Sequence, residues 1–246
     1  MQMKDRVAVI TGGKRIGCIV ATELASRGVG IVVSYRSSKE SAESTVDDIR
    51  SHSGRAVAVQ ADVTCATDCD DLMSHAVAEF GRIDILVNMA STYRRVPFDE
   101  LTEAVWDQEL DSNLKSAYLC ALSVVPHMRA VGGGRIINFS DWLANSGRPR
   151  YFDFTPYYVA KAGTVALTES LALELAKDEI LVNAVAPGPI IAPLGSSEEE
   201  IEEVARATPI GRWGGSLEVA KVVVDLIESD FITGETIRVD GGRHLH

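Results

Sequence analysis

Short runs rich in Val, Ile and Leu recur along the chain, separated by longer stretches in which apolar positions return every three to four residues. The runs at 6–11, 30–35, 56–60, 83–88, 134–139, 180–185 and 235–239 read as strands. The stretches at 17–28, 38–53, 67–80, 103–130, 156–177 and 217–228 read as helices. Runs such as "IDILVN" and "GRIINF" lack apolar–polar alternation, so both faces are expected to be buried, as in a parallel sheet covered by helices. Strand and helix alternate along the chain, which specifies a doubly wound α/β fold with right-handed crossovers. No repeat, low-complexity tract or linker divides the 246 residues, and one domain, 1–246, can hold that length. The segment 189–214, "PIIAPLGSSEEEIEEVARATPIGRWG", departs from the alternation. Its prolines, glycines and short acidic helix read as a lid over a ligand, against the alternative of a solvated connector.

Apolar residues make up 46% and charged residues 24%, the ordinary mix of a soluble protein. The apolar run "VAVITGG" is too short for a signal peptide or membrane span, so a cytoplasmic location is expected. Cys18, Cys65, Cys69 and Cys120 show no paired framework, and Cys65-x-x-x-Cys69 has no histidine or second pair nearby. Reduced thiols and no metal site are the expectation. A net charge of −11 repels nucleic acid and anionic membranes. Against it, Lys14-Arg15, Arg36 and Lys39 form one basic cluster, which suggests a small polyanionic ligand.

That cluster coincides with a second signal. "VAVITGGKRIG" is a strand, then a Gly-bearing turn, then a helix start, an arrangement that lets backbone N–H groups and a helix N-terminus approach a pyrophosphate. After the second strand, where an Asp or Glu would accept from ribose hydroxyls, stands Tyr35-Arg36-Ser37. Arg36 and Arg15 can bond a phosphate dianion, so NADP rather than NAD is expected. Asp62, followed by Val63 at the end of the third strand, can reach an adenine amino group. Further on, Tyr157 and Lys161 are four apart on a helix and share a face. An ammonium beside a phenol is expected to lower its pKa, suiting Tyr157 to donate a proton after hydride transfer. Tyr158, three before Lys161, competes for the role.

Taken together these pieces resemble the short-chain dehydrogenase/reductase family over nearly the whole chain. The matching residues are Thr11-Gly12…Gly17, Asp62-Val63, Asn88-x-Ala90, Asn113 in "SNLKSAY", Tyr157…Lys161, Pro187-Gly188 in "NAVAPGPI", and "ITGETIRVDGG". The resemblance implies a Rossmann-type seven-stranded parallel sheet with helices on both faces and a homo-oligomer, tetramer or dimer. It implies that Gly12, Lys14, Arg15, Ile16, Gly17, Arg36, Ser37, Asp62, Val63, Asn88 and Ala90 line the dinucleotide. Lys161 would also bind the nicotinamide ribose, Asn113 would help hold a water-linked proton path, and Pro187, Gly188 and Ile190 would flank the nicotinamide.

Three departures from the family pattern matter. The turn Thr11-Gly12-Gly13-Lys14-Arg15-Ile16-Gly17 is one residue short and lacks the middle glycine; Asn88-Met89-Ala90-Ser91 replaces Asn-Asn-Ala-Gly; and Asp141 stands where the family carries its catalytic serine, with Ser140 one position earlier. An ionised aspartate cannot donate to a ketone oxygen. It is useful if protonated, or if the substrate presents N–H donors as a pterin does. Pteridine reductases of this family carry aspartate there, an Arg in the Gly-rich turn and an Asn-Ala-Ser-Ser-aromatic run. Here Arg15, Ser91 and Tyr93 correspond, with Tyr93 placed to sandwich a flat ring. The other possibility is that Asp141 pairs with Arg148 or Arg150 while Ser140 takes the catalytic part. The expected activity is an NADPH-dependent reduction of a C=O or C=N group, of a pteridine or of a generic ketone or 3-oxoacyl substrate. A binding protein without turnover is the contrasting possibility, which intact Tyr157, Lys161 and Asn113 oppose.

Overall fold

The computed structural model describes residues 1–146, 151–193 and 195–245. Among them, seven strands form one parallel sheet in the order β3-β2-β1-β4-β5-β6-β7. They are β1 (Val7–Thr11), β2 (Gly30–Tyr35), β3 (Ala56–Gln60), β4 (Ile85–Asn88), β5 (Gly134–Phe139), β6 (Ile180–Pro187) and β7 (Thr236–Val239). Every residue of β1, β4 and β5 is buried, as their unbroken apolar runs require.

Successive strand residues point to opposite faces and so feed two cores. Ala8, Ile10, Val33, Val87 and Ile137 face the layer that holds α1 (Ile16–Ala25), α2 (Lys39–Ser51) and α9 (Ser216–Glu228). Val9, Val32, Leu86, Ile136 and Val182 face the other, with α3 (Ala66–Phe80), α5 (Ser116–Ala130) and α7 (Thr155–Leu175). The strand order reverses between β1 and β4, so the segments leaving their carboxyl ends diverge and open a crevice there.

The helix expected over 103–130 is interrupted. It consists of α4 (Glu103–Leu110), a π turn at Asp111–Lys115, and α5. An extra residue in a helical turn reorients what it carries, and such bulges concentrate at functional sites; this one carries Asn113. Two short helices complete the order: α6 (Trp142–Asn145) after β5, and α8 (Glu198–Arg206) within the segment read as a lid. Ser197 and Glu200 close a reciprocal capping box on α8, and Trp213 Nε1 donates to Ile201 O at 3.0 Å, pinning the helix to the chain beyond it. Among the described residues no helix is long and apolar enough to cross a membrane.

Candidate active site

The turn after β1 brings backbone close to backbone. Gly12 has a φ of 78°, and a Cβ there would lie 2.9 Å from the main chain of Met89 and Ala90. A Cβ on Gly17 would stand 2.3 Å from the Gly12 carbonyl oxygen. Only glycine permits this approach, and the resulting cradle at the N-terminus of α1 suits a pyrophosphate. Arg15 fills the place of the missing middle glycine in a left-handed conformation, φ 55°, immediately before Ile16 opens α1. Its guanidinium donates to the carbonyls of Ile191 at 3.2 Å and Ala192 at 3.1 Å. Arg15, expected at the phosphate and at the substrate, thus also ties the turn to the segment read as a lid, and it lines both clefts that meet here.

From this turn a cleft of 410 Å³ runs past Lys14, Arg36, Ser37, Asp62 and Ala90, which the fold brings together from β1, β2, β3 and β4. Arg36 lies 3.9 Å from Asp62, while Asp62 Oδ1 accepts from Thr64 Oγ1 at 2.7 Å; Val63 is buried beside it. The Asn88 side chain faces inward, donating to Asn138 Oδ1 at 2.9 Å and so linking β4 to β5. On the far side, Pro187 ends β6, and a Cβ on Gly188 would meet that of Asp240 at 2.5 Å. Ile190, 5% exposed, packs into the core.

Tyr157, Lys161 and Asp141 converge at the ends of β5 and α7. The Tyr157 hydroxyl donates to Asp141 Oδ2 at 3.0 Å. Asp141 Oδ1 accepts from the Leu143 backbone at 2.9 Å and so caps α6. Lys161 Nζ donates to the Phe139 carbonyl at 2.8 Å and lies 5.8 Å from the centre of the Tyr157 ring. Tyr158 also faces the smaller cleft described below, but Asp141 holds the hydroxyl of Tyr157.

Electrostatics here run against the simple expectation of a lysine lowering the phenol. Burial, then the Asp141 charge, pushes the Tyr157 pKa well above the ordinary phenol value. Burial also lowers Lys161 to about 8, with Asp141 and Glu109 opposing the shift. Asp141 is raised by burial, against the bonds from Leu143 and Tyr157 and the Lys161 charge. The phenol so held keeps its proton and can donate it, as a weaker acid than a phenol answering to the lysine alone. Ser140, the alternative to Asp141 for the serine's part, is engaged with α7. Its hydroxyl is buried and donates to the Lys161 carbonyl at 2.9 Å. Arg148 and Arg150, the other partners considered for Asp141, lie outside the described residues.

Beside this triad opens a cleft of 170 Å³ walled by Tyr93, Tyr151, Phe154 and Leu143. Tyr93 stacks on Phe154 with ring centres 4.6 Å apart and meets Tyr157 edge-on at 4.9 Å. One face expected for a ligand is thus already covered by Phe154, from an insertion the sequence pattern does not place. Ser91 donates to Asn113 Oδ1 at 2.5 Å, so its hydroxyl serves the π turn. A wider space of 680 Å³ continues from Asp141 toward α8 and Trp213.

Sequence reasoning missed Glu109. It is 2% exposed and accepts from Thr92 Oγ1 at 3.0 Å and Asn113 Nδ2 at 3.1 Å. Its signal was its spacing: four residues before Asn113, on the same helical face.

Comparison with known proteins agrees with this geometry. Residues 12–244 match the family described as enoyl-(acyl carrier protein) reductase. The chain is 36% identical over 243 residues to the 3-oxoacyl-[acyl-carrier-protein] reductase FabG of Staphylococcus aureus, covering 97% of this chain and 98% of that one. It is 37% identical over 254 residues to the short-chain reductase protein NovJ of Streptomyces niveus, covering 98% and 94%. A short-chain dehydrogenase/reductase structure from Serratia marcescens superposes with a TM-score of 0.91 at 30% identity, over 99% of this chain and 100% of that one. With one space joining the glycine turn to the tyrosine–lysine pair and relatives matched over almost their full length, the chain belongs to the short-chain dehydrogenase/reductase family, oxidoreductases that work with NAD(H) or NADP(H).

Proposed function

We propose that the protein is an NADPH-dependent reductase of a ketone carbonyl, with Tyr157 as proton donor. The observation that carries this reading is the Tyr157 hydroxyl, hydrogen-bonded to Asp141 with Lys161 beside its ring, where the two clefts meet. The named reductases among the relatives support a 3-oxoacyl or similar ketone. When bound, the dinucleotide supplies the hydride. Gly12 and Gly17 make room for its pyrophosphate, and Lys14, Arg36 and Ser37 line the end that would take a 2′-phosphate. Tyr157 protonates the substrate oxygen, and Lys161 places a positive charge beside the phenol ring. Asp141 in its protonated form donates as the family's serine would; burial favours that form. The test is NADPH oxidation with ethyl acetoacetate and a panel of ketones, and tight NADPH binding with no turnover on any would return the reading to a binding protein.

A second reading follows from Asp141 and the aromatic walls. A flat ring imine with N–H donors, as in a dihydropterin, would find an acceptor at Asp141 and an aromatic wall in the exposed part of Tyr93 that Phe154 does not cover. A dihydropterin in the same panel decides between them.

Cofactor choice is separately testable. Arg36→Asp removes a cation and adds a carboxylate, so the NADPH/NADH ratio of kcat/KM is expected to fall by about ten- to a hundredfold, the worth of a charged hydrogen bond. An unchanged ratio would place the phosphate elsewhere. The same reading has the chain as a homo-oligomer, tetramer or dimer. Leu122 on α5 and Leu173 on α7 are 59% and 83% exposed, which a partner copy would cover. Sedimentation velocity should show a species above the monomer.

A further inference from the structure

In α4 the one buried residue is a glutamate. Leaving a carboxylate in a protein interior is costly unless donors surround it, and Glu109 has them. Thr92 Oγ1 and Asn113 Nδ2 both donate to its Oε2, and Asn113 Nδ2 also donates to the Glu109 carbonyl at 3.0 Å. The chain of contacts continues toward the reacting groups. Asn113 sits in the π turn, and its carbonyl accepts from Thr164 Oγ1 at 3.3 Å, three residues beyond Lys161 on α7. The one fully buried position of α4, a helix that packs on the helix bearing Tyr157 and Lys161, is thus a carboxylate.

We propose that Glu109 is a positioning residue for proton delivery, acting through its hydrogen bonds to Asn113 and through the negative charge it brings to the Tyr157–Lys161 end of the site. The inference rests on Tyr157 being the proton donor. The charged and titratable groups that share this space are Tyr157 and Lys161 from α7, Asp141 from the end of β5, and Tyr93 from the segment after β4. Asp111 and Lys115 of the π turn pair with each other at 3.0 Å on the exposed side. Glu109 favours the protonated form of both Lys161 and Tyr157. Loss of its charge therefore moves both titrations the same way, toward lower pH.

Glu109→Gln keeps an acceptor for Asn113 while removing the charge, and Glu109→Asp keeps the charge. Two measurements are made on each. The first is kcat against pH for NADPH oxidation with ethyl acetoacetate. The second, free of cofactor, is the ultraviolet difference titration of the Tyr157 phenol, read against Tyr157→Phe. In Glu109→Gln the alkaline fall in kcat and the phenol titration should both move to lower pH by about half a unit or more, with Glu109→Asp staying near the parent. Curves that overlay the parent, or a uniform loss of kcat without a shift, would overturn the proposal and leave Glu109 a structural residue. Failure of the underlying reading looks different: Tyr157→Phe would then retain turnover, whatever Glu109→Gln does.

Discussion

Tyr157→Phe is expected to lower kcat for NADPH oxidation by about 10²–10⁴-fold, the usual contribution of a positioned general acid, while dinucleotide binding followed by fluorescence is kept. The ring remains to pack edge-on against the stacked Tyr93 and Phe154, so lost turnover would report the missing hydroxyl and not a collapsed cleft. The substitution also takes a donor from Asp141 Oδ2. A buried acceptor without its partner costs about 1–3 kcal/mol. Asp141 can escape that cost by taking up a proton, so the loss in Tm should be larger at high pH than at low pH. A variant that still turns over ketones at the parental rate would remove Tyr157 from the chemistry.

Asp141→Ser has the second largest expected effect, and its sign depends on substrate. The folded pKa of Asp141 is raised above its unfolded value. Its proton is thus held more tightly in the native state, and its contribution to stability is present at low pH and lost as pH rises through the folded pKa. A serine removes this penalty, and its hydroxyl can still cap α6 at Leu143. Stability at neutral pH should therefore be equal or better. For ketones, the parent should speed up as pH falls and Asp141 becomes a donor, whereas Asp141→Ser should lose that acid limb and match or exceed the parent at neutral pH. With a dihydropterin the same variant should lose about ten- to a hundredfold, one charged hydrogen bond. Parallel losses on both substrates, with a lowered Tm, would instead make Asp141 a structural brace.

Strand positions were readable because burial on both faces leaves no polar alternation, and β1, β4 and β5 are buried throughout. The tyrosine–lysine pair was readable from helical spacing. Its electrostatics were not, because the phenol answers to burial and to Asp141, sixteen residues upstream, more than to its lysine. Arg15 shows a different limit. Its charge and its place beside the glycines suggested a phosphate; that its guanidinium also bonds carbonyls at 191 and 192 is a contact between distant segments that no local pattern encodes. The π turn was likewise hidden: residues 103–130 carry an ordinary helical rhythm, and the added residue follows from seating Asn113 between Glu109, Ser91 and Thr164.

The inner place of β1, third of seven in the sheet, also has a bearing on how the chain is made. Its first neighbour, β2, emerges soon after it, with Val7 beside Gly30, but the other side is completed only when Ile85 comes to lie beside Ala8. Until then a strand that ends fully buried offers unpaired backbone groups along one edge, a template for joining other nascent chains. Closing that long separation is slow compared with forming the local helices. The strand that leads into the glycine turn is therefore a point of risk during synthesis. Chains halted between β2 and β4 should aggregate on release from the ribosome, whereas chains halted beyond β4 should not.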